Sequence, residues 1–237
     1  MKHRLVPSLI GSFAVSVVLA SCVSFPEDVG ATVSVDRDIG DVTAVSLRTS
    51  GTVILTTGAE PALTITASEK VIDNLTSEER GGVLILDQEG YTFGSGGQIT
   101  YRLVLPAVEE ISVNGSGSVD VECAPTGSLA VSVNGSGGIT GREVEVEGLT
   151  VAIAGSGRVD LTGVTDSQVV TIEGSGTYRG ADLRSANAAV EISGSGDVDV
   201  HATSTLDAVI AGSGSITYLG GATVARDITG SGRVEER

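Results

Sequence analysis

The most regular feature of the chain is an alternation of aliphatic and polar residues that recurs about every twenty positions around a repeated Gly-Ser-Gly. Two places before the first glycine stand Val113, Val133, Ile153, Ile172, Ile192, Ile210 and Ile228. Four places after it stand Val119, Ile139, Val159, Tyr178, Val198, Ile216 and Val234. A third column, four places before it, runs Ile111, Val131, Val151, Val170 and Val190, then fades to Ala208 and Arg226. The flanking positions are mostly polar, with Ser118, Arg158, Asp197 and Arg233 on one side and Asp120, Asp160, Arg179 and Asp199 on the other. Period two with β-branched residues on one side predicts half-buried strands. Each unit therefore reads as strand, Gly-Ser-Gly corner, strand and a variable return such as 122–128 or 162–168.

Gly-Ser-Gly begins at Gly94, Gly115, Gly135, Gly155, Gly174, Gly194, Gly212 and Gly230, in steps of 21, 20, 20, 19, 20, 18 and 18 residues. A unit this short cannot bury its apolar face alone, but similar units stacked on one another can. The expected fold is all-β, a parallel β-helix (β-solenoid) with about 20 residues per coil. Glycine suits the corner because a sharp turn between short strands uses backbone angles closed to other residues. The intervening serines, Ser116 to Ser231, should fall in register as a hydroxyl ladder. If that ladder is buried, Ser156→Val should cost stability.

The N-terminal third is less regular. Its predicted strands are Val45–Leu55 (broken at Ser50-Gly51), Ala62–Ala67, Val83–Leu86 and Ile99–Leu105. Thr49-Ser50-Gly51 stands where a full corner would be. The copy at Gly94 fits the columns poorly, with Thr92 before it and Gln98 after. Ser68–Arg80 is polar and reads as a surface loop or short helical turn. This third is expected to cap one end of the solenoid, and Glu235-Glu236-Arg237 to discourage stacking at the other.

The first residues read as a targeting segment. Lys2 and Arg4 precede a largely apolar stretch from Leu9 to Leu19, too short to span a bilayer as a mature helix. It ends in Leu19-Ala20-Ser21-Cys22, which resembles the lipobox of bacterial lipoprotein signal peptides. That resemblance implies cleavage before Cys22 and a diacylglycerol thioether on its sulfur. The expected organisation is a signal peptide at 1–21, an anchor and tether at 22–40 and a solenoid domain at 41–237.

Composition sharpens this picture. Aromatic residues are 3% of the chain and Trp is absent, so the core must be built from Val, Ile, Leu and Ala. The formal net charge is −16, and losing Lys2 and Arg4 with the signal makes it −18. Such a surface repels phosphate backbones and argues against a nucleic-acid partner. Attachment to a membrane would then rest on acyl chains at Cys22. With Cys22 acylated, Cys123 has no partner in its own chain.

Leu63-Thr64-Ile65-Thr66, Val71-Ile72-Asp73-Asn74-Leu75, Gly82-Val83-Leu84-Ile85-Leu86, Leu105-Pro106 and Ile111-Ser112-Val113-Asn114-Gly115-Ser116-Gly117 follow one another in an order that resembles the GIN domain. That family is described as a putative auto-transporter adhesin head domain of bacterial envelope proteins. The resemblance runs from about Val45 to Val234. It implies a right-handed parallel β-helix at the cell surface and offers no catalytic residues.

Candidate chemistry is sparse. Asp120, Asp160 and Asp199 share a column, but that column also holds Thr140, Arg179 and Thr217. Its residues should point outward, which argues against paired acid–base work. His201 is the only histidine beyond the signal segment, which leaves neither a zinc cluster nor a serine triad. Calcium-binding β-rolls place Asp in each turn of a shorter repeat, whereas these turns carry Ser. No cofactor, metal or catalytic residue is expected. Tyr91, Phe93 and Tyr101 cluster near the irregular third, where they would either pack the cap or, as the candidate binding surface, meet a surface glycan or protein partner. The expected function is a non-enzymatic envelope lipoprotein, facing the periplasm or exterior, that uses a rigid solenoid for adhesion or scaffolding. The alternative is a polysaccharide lyase or hydrolase on the same fold.

Overall fold

The computed structural model describes residues 30–90, 97–122 and 127–237. The first strands are β1 (Thr32–Arg37), β2 (Ala44–Leu47), β3 (Thr52–Thr57) and β4 (Ala62–Ser68). A single 3-10 turn, Ile72–Asn74, then leads to β5 (Leu75–Arg80), β6 (Val83–Gln88) and β7 (Thr100–Leu105). The repeats follow as β8 (Glu110–Gly115), β9 (Ser118–Val121), β10 (Ser128–Gly135), β11 (Gly138–Gly155) and β12 (Arg158–Gly174). They continue as β13 (Thr177–Gly194), β14 (Asp197–Gly212), β15 (Ser215–Leu219), β16 (Thr223–Gly230) and β17 (Arg233–Glu236).

From β8 onward each coil lies on the one before it in parallel register. Val113 meets Val133, and Ile153, Ile172, Ile192 and Ile210 continue the column. All six are buried to within 1% exposure, so the aliphatic side chains pile into one continuous core as the alternation requires. The chain is thus a β-solenoid with about 20 residues per coil.

The return segments are more ordered than the sequence suggests. In β11 and β12 the strand kinks and continues, with Val144–Val146 pairing Gly163–Thr165 as a third side of the coil. The kink falls at Glu143, the one non-glycine residue with positive φ (56°) among those described.

The corners explain the repeated glycines. At Gly155 φ is +116°, and an added Cβ would lie 2.6 Å from the Gly135 carbonyl oxygen of the coil below. At Gly157 it would lie 2.4 Å from Val133 Cγ1. Between them the serines stand in register, but they are exposed, which overturns the buried hydroxyl ladder. The ladder that exists is made of backbone. Ser136, Ser156, Ser175, Ser195, Ser213 and Ser231 each donate their N–H to the corner glycine carbonyl one coil earlier, at 2.8–2.9 Å. A serine side chain is tolerated there because it points away from the stack.

At the N-terminal end, spatial order departs from chain order. β2 and β3 lie directly against β8 and β9, with Thr49-Ser50-Gly51 standing at their corner. β6 and β7 pack on the opposite side of β2 and β3, so the later coil is the outer one. The corner copy at Gly94 lies outside the described residues. Antiparallel strands close this end, β5 on β6, β4 on β7 and β1 on β4. The N-terminal third therefore caps the stack. β1 nonetheless forms within the stretch read as tether, and Ser68–Arg80, read as a loop or helical turn, holds a turn followed by a strand.

Because the backbone carries the corner, Gly155→Ala should be far more damaging than Ser156→Val. The first combines a left-handed φ with a backbone clash, and a loss of about 2–4 kcal/mol is expected. The second should stay within about 0.5 kcal/mol of the parent. Urea unfolding of the two variants checks this, and equal losses would return the load to the hydroxyls.

Candidate binding surface

The solenoid presents its outward residues in rows. On the side leading into the corner, one row is Ser46, Ser112, Ser132, Ala152, Thr171, Glu191, Val209 and Asp227. Its first members are short, so the surface there is flat. Asn134 Nδ2 donates to Asn114 Oδ1 at 2.9 Å, and Asn114 Nδ2 to Ser46 Oγ at 3.2 Å, stitching three coils along that face. Val169 and Val209 are 45% and 42% exposed on this side, as separate positions and not as a patch.

On the side that follows the corner, Asp120, Thr140, Asp160, Arg179, Asp199, Thr217 and Glu235 form the outer row. Arg179 Nε lies 3.8 Å from Asp160 Oδ1, a long contact between partly exposed side chains that contributes little to stability. Thr140 separates Asp120 from Asp160, and a cation follows Asp160, so this column brings no two carboxylates side by side. Among the described residues no group of three or more His, Cys, Asp or Glu is placed to hold a metal ion. His201 Nδ1 lies 3.3 Å from the Ala181 carbonyl oxygen, and Ser185 Oγ donates to the His201 carbonyl, not to its ring.

The third side is acidic, with Glu143, Glu145, Glu147 and Asp166 exposed around Val164, itself 48% exposed.

Two tyrosines sit inside the stack. Tyr178 takes the place of the valine or isoleucine found elsewhere in its column, and its ring occupies space left by Gly180, where a Cβ would lie 2.5 Å from the Tyr178 hydroxyl. That hydroxyl donates to Gln168 Oε1 at 2.9 Å, Gln168 Nε2 donates to Ser185 Oγ at 2.9 Å, and Ser185 Oγ donates onward at 2.8 Å. A buried glutamine was not foreseen; its signal was the break of the aliphatic column at Tyr178 with a glycine two places on. Burial pushes the Tyr178 phenol well above its ordinary pKa.

Tyr101 is fully buried. Its ring packs on Gly51 at 2.8 Å from where a Cβ would be, and its hydroxyl is 3.5 Å from Thr49 Oγ1. Burial raises its pKa, the Thr49 bond opposes that and the Asp87 charge adds to it. Tyr101 therefore offers no face to a ligand and packs the cap, which removes it from the candidate binding surface. The other two members of that cluster, Tyr91 and Phe93, lie outside the described residues, as do Leu19, Ala20, Ser21, Cys22 and Cys123.

An uninterrupted parallel stack, with its aliphatic columns inside and short polar and charged rows outside, makes this a repeat protein of the β-solenoid class. The family model described as putative auto-transporter adhesin, head GIN domain matches residues 41–222, and the chain belongs to that family. Three solved structures share the fold. A putative adhesin from Bacteroides fragilis superposes with a TM-score of 0.83 at 22% identity, over 87% of this chain and 97% of that one. A structure described as a putative lipid binding protein from Parabacteroides distasonis gives 0.71 at 24% identity, over 88% and 97%. A putative adhesin from Parabacteroides merdae gives 0.69 at 21% identity, over 88% and 97%. A search of the curated proteins found no match. The family's description supports an adhesion-like role at the cell surface or envelope.

The buried phenol gives a signed expectation. With its folded pKa raised above the ordinary value of 10.0 for a tyrosine, Tyr178 keeps its proton in the folded state where the unfolded chain loses it. Stability should be whole below about pH 10 and fall as the pH rises beyond it, by up to about 1.4 kcal/mol per unit for one such group. Tyr178→Phe should lose about 1–3 kcal/mol near neutrality, because Gln168 Oε1 is left unpaired. It should also show a shallower alkaline decline, Tyr101 supplying what remains. Denaturant unfolding between pH 7 and 11 separates the two effects.

Proposed function

We propose that this chain is a lipoprotein of the bacterial envelope, anchored through Cys22, whose solenoid is a rigid non-enzymatic module for adhesion or scaffolding. The observation that carries the reading is the stack itself: coils held by backbone ladders and a continuous aliphatic core, with chemistry confined to outward rows. Such a rod keeps its surface rows in fixed register, which suits repeated weak contacts on one partner surface. The Leu19-Ala20-Ser21-Cys22 tetrad supports the anchor, and the acidic surface leaves acyl chains as its means of holding a membrane. The expected partner is a surface glycan or protein.

Two measurements test it. Cells expressing the full chain should incorporate labelled palmitate into it and retain it with membranes, whereas Cys22→Ala should lose both; a variant that still labels and sediments with membranes ends the anchor reading. Beads coated with the protein should be retained on mucin- or collagen-coated plates beyond albumin-coated beads. Retention no better than albumin on either coat would remove adhesion. Release of reducing ends from a polysaccharide panel would put a glycan-cleaving enzyme in its place.

A further inference from the structure

On the side that follows the corner, the outward row nearest Gly-Ser-Gly runs Ser118, Gly138, Arg158, Thr177, Asp197 and Ser215. Gly138 breaks it, and the fold does not require that glycine. Its φ is not left-handed, and an added Cβ would meet only the Arg158 carbonyl oxygen, at an ordinary 3.6 Å. The corner glycines beside it are different: at Gly137 a Cβ would fall 2.5 Å from the Gly117 carbonyl oxygen. A strand residue that gives up both side-chain packing and β propensity without a backbone reason leaves space as its product.

That space is a notch of about 360 Å³ whose wall includes Ser118, Ser136, Thr140, Ser156, Arg158 and Asp160. Two of these have bonding capacity to spare. The Asp160 side chain is 33% exposed: Oδ1 is turned away from water with Arg179 Nε 3.8 Å off, and Oδ2, the oxygen left open to solvent, accepts no hydrogen bond among the described residues. Arg158 makes no ion pair or side-chain hydrogen bond among the described residues.

The lining selects among ligand classes. A phosphate or other polyanion would meet Asp160 and a chain of net charge −16. A metal cation would meet Arg158 and Arg179. An apolar ligand would find no platform, because Ile139 lies beneath the strand at 1% exposure. Hydroxyls, one carboxylate acceptor and one guanidinium fork together match a neutral polyol, whose every hydroxyl both donates and accepts. We infer that the notch at Gly138 binds a single neutral sugar unit of a surface glycan, Asp160 accepting from its hydroxyls and Arg158 donating to them. The inference rests on the adhesion reading and gives that reading a site. Without an aromatic platform the affinity for one unit is on the order of millimolar, and useful retention comes from many displayed copies.

The test is a titration of the ¹⁵N-labelled protein with methyl α-D-glucopyranoside, methyl β-D-galactopyranoside and methyl α-D-mannopyranoside. At least one should give saturable shifts centred on the amides of 136–140 and 156–160. Gly138→Thr fills the notch with a side chain like that of Thr177 in the same row, favours the strand and leaves every charge in place. It should melt no lower than the parent and bind at least about tenfold more weakly. Asp160→Asn should weaken binding comparably, and serves as the second variant if Gly138→Thr folds poorly. Absence of saturable shifts up to about 100 mM of any of the three glycosides, or undiminished binding by Gly138→Thr, overturns the site. Beads coated with Gly138→Thr that are retained as well as the parent would remove the site while leaving adhesion standing. Failure of the parent beads themselves would remove the adhesion reading.

Discussion

The structure depends on how closely one coil can approach the next at its corners. Parallel strands in successive coils sit about 4.8 Å apart. At the corners that spacing brings glycine against glycine with no room for a side chain: the Cβ position of Gly135 is 2.5 Å from the Gly115 oxygen, and that of Gly194 is 2.3 Å from the Gly174 oxygen. The close approach lets the serine amides bond the carbonyls below and sets the register for the rest of the coil. Once the corners align, Val133 must fall on Val113 and Ile153 on Val133. The aliphatic columns then follow from the corner, and the outward rows follow from the columns.

This is why the repeated part of the fold was legible from residue spacing. Columns that are aliphatic every second residue, with glycines at a steady interval, leave few arrangements that bury one set and expose the other. The serines were misjudged for a related reason. Periodicity showed that they would align, but alignment is a property of the stack and burial a property of direction, and between two inward-constrained glycines the side chain turns out to solvent. The N-terminal coils were harder. β2 offers the same alternation to Leu84 and Leu86 on one flank as to Ile111 and Val113 on the other, so nothing local states which coil comes next. β1 and β5 are polar strands that exist because they cover an edge. For Tyr101 the alternation decides between packing and a binding surface: Tyr101, Leu103 and Leu105 share one phase of β7, and all are fully buried.

The polar residues inside the stack serve specificity more than gross stability. Val, Ile and Leu columns tolerate sliding by one coil, since one aliphatic contact resembles the next. The bonds from Tyr178 to Gln168, from Gln168 to Ser185 and onward to the His201 carbonyl join particular coils, and shifting any member strands a buried donor or acceptor. The fit of Tyr178 into the space at Gly180 adds a steric condition to the same register. A rod that displays outward rows for recognition needs those rows fixed relative to one another, and this network fixes them from within.

The two edges of a stack of interchangeable coils are built differently from its middle. At the N-terminal end the difference is topological, since antiparallel β5 and β4 cover the last parallel strands and reverse the chain direction. At the other edge charge enters the inward column. β16 and β17 each pair on only one side among the described strands, which leaves an open edge. Val224 and Ile228 are only half-buried there, although Leu206 and Ile210 in the coil before are at 0% and 1% exposure. Between them Arg226 stands in the inward column of Ala208, and on β17 Glu236 pairs with Tyr218. A further coil, from this chain or another, would have to bury the Arg226 charge without its water, at a cost that the added aliphatic contacts do not offset. The same inward column that builds the core thus carries a charge in β16 where the coils before it carry an aliphatic side chain, which makes this edge a poor surface for stacking a second copy.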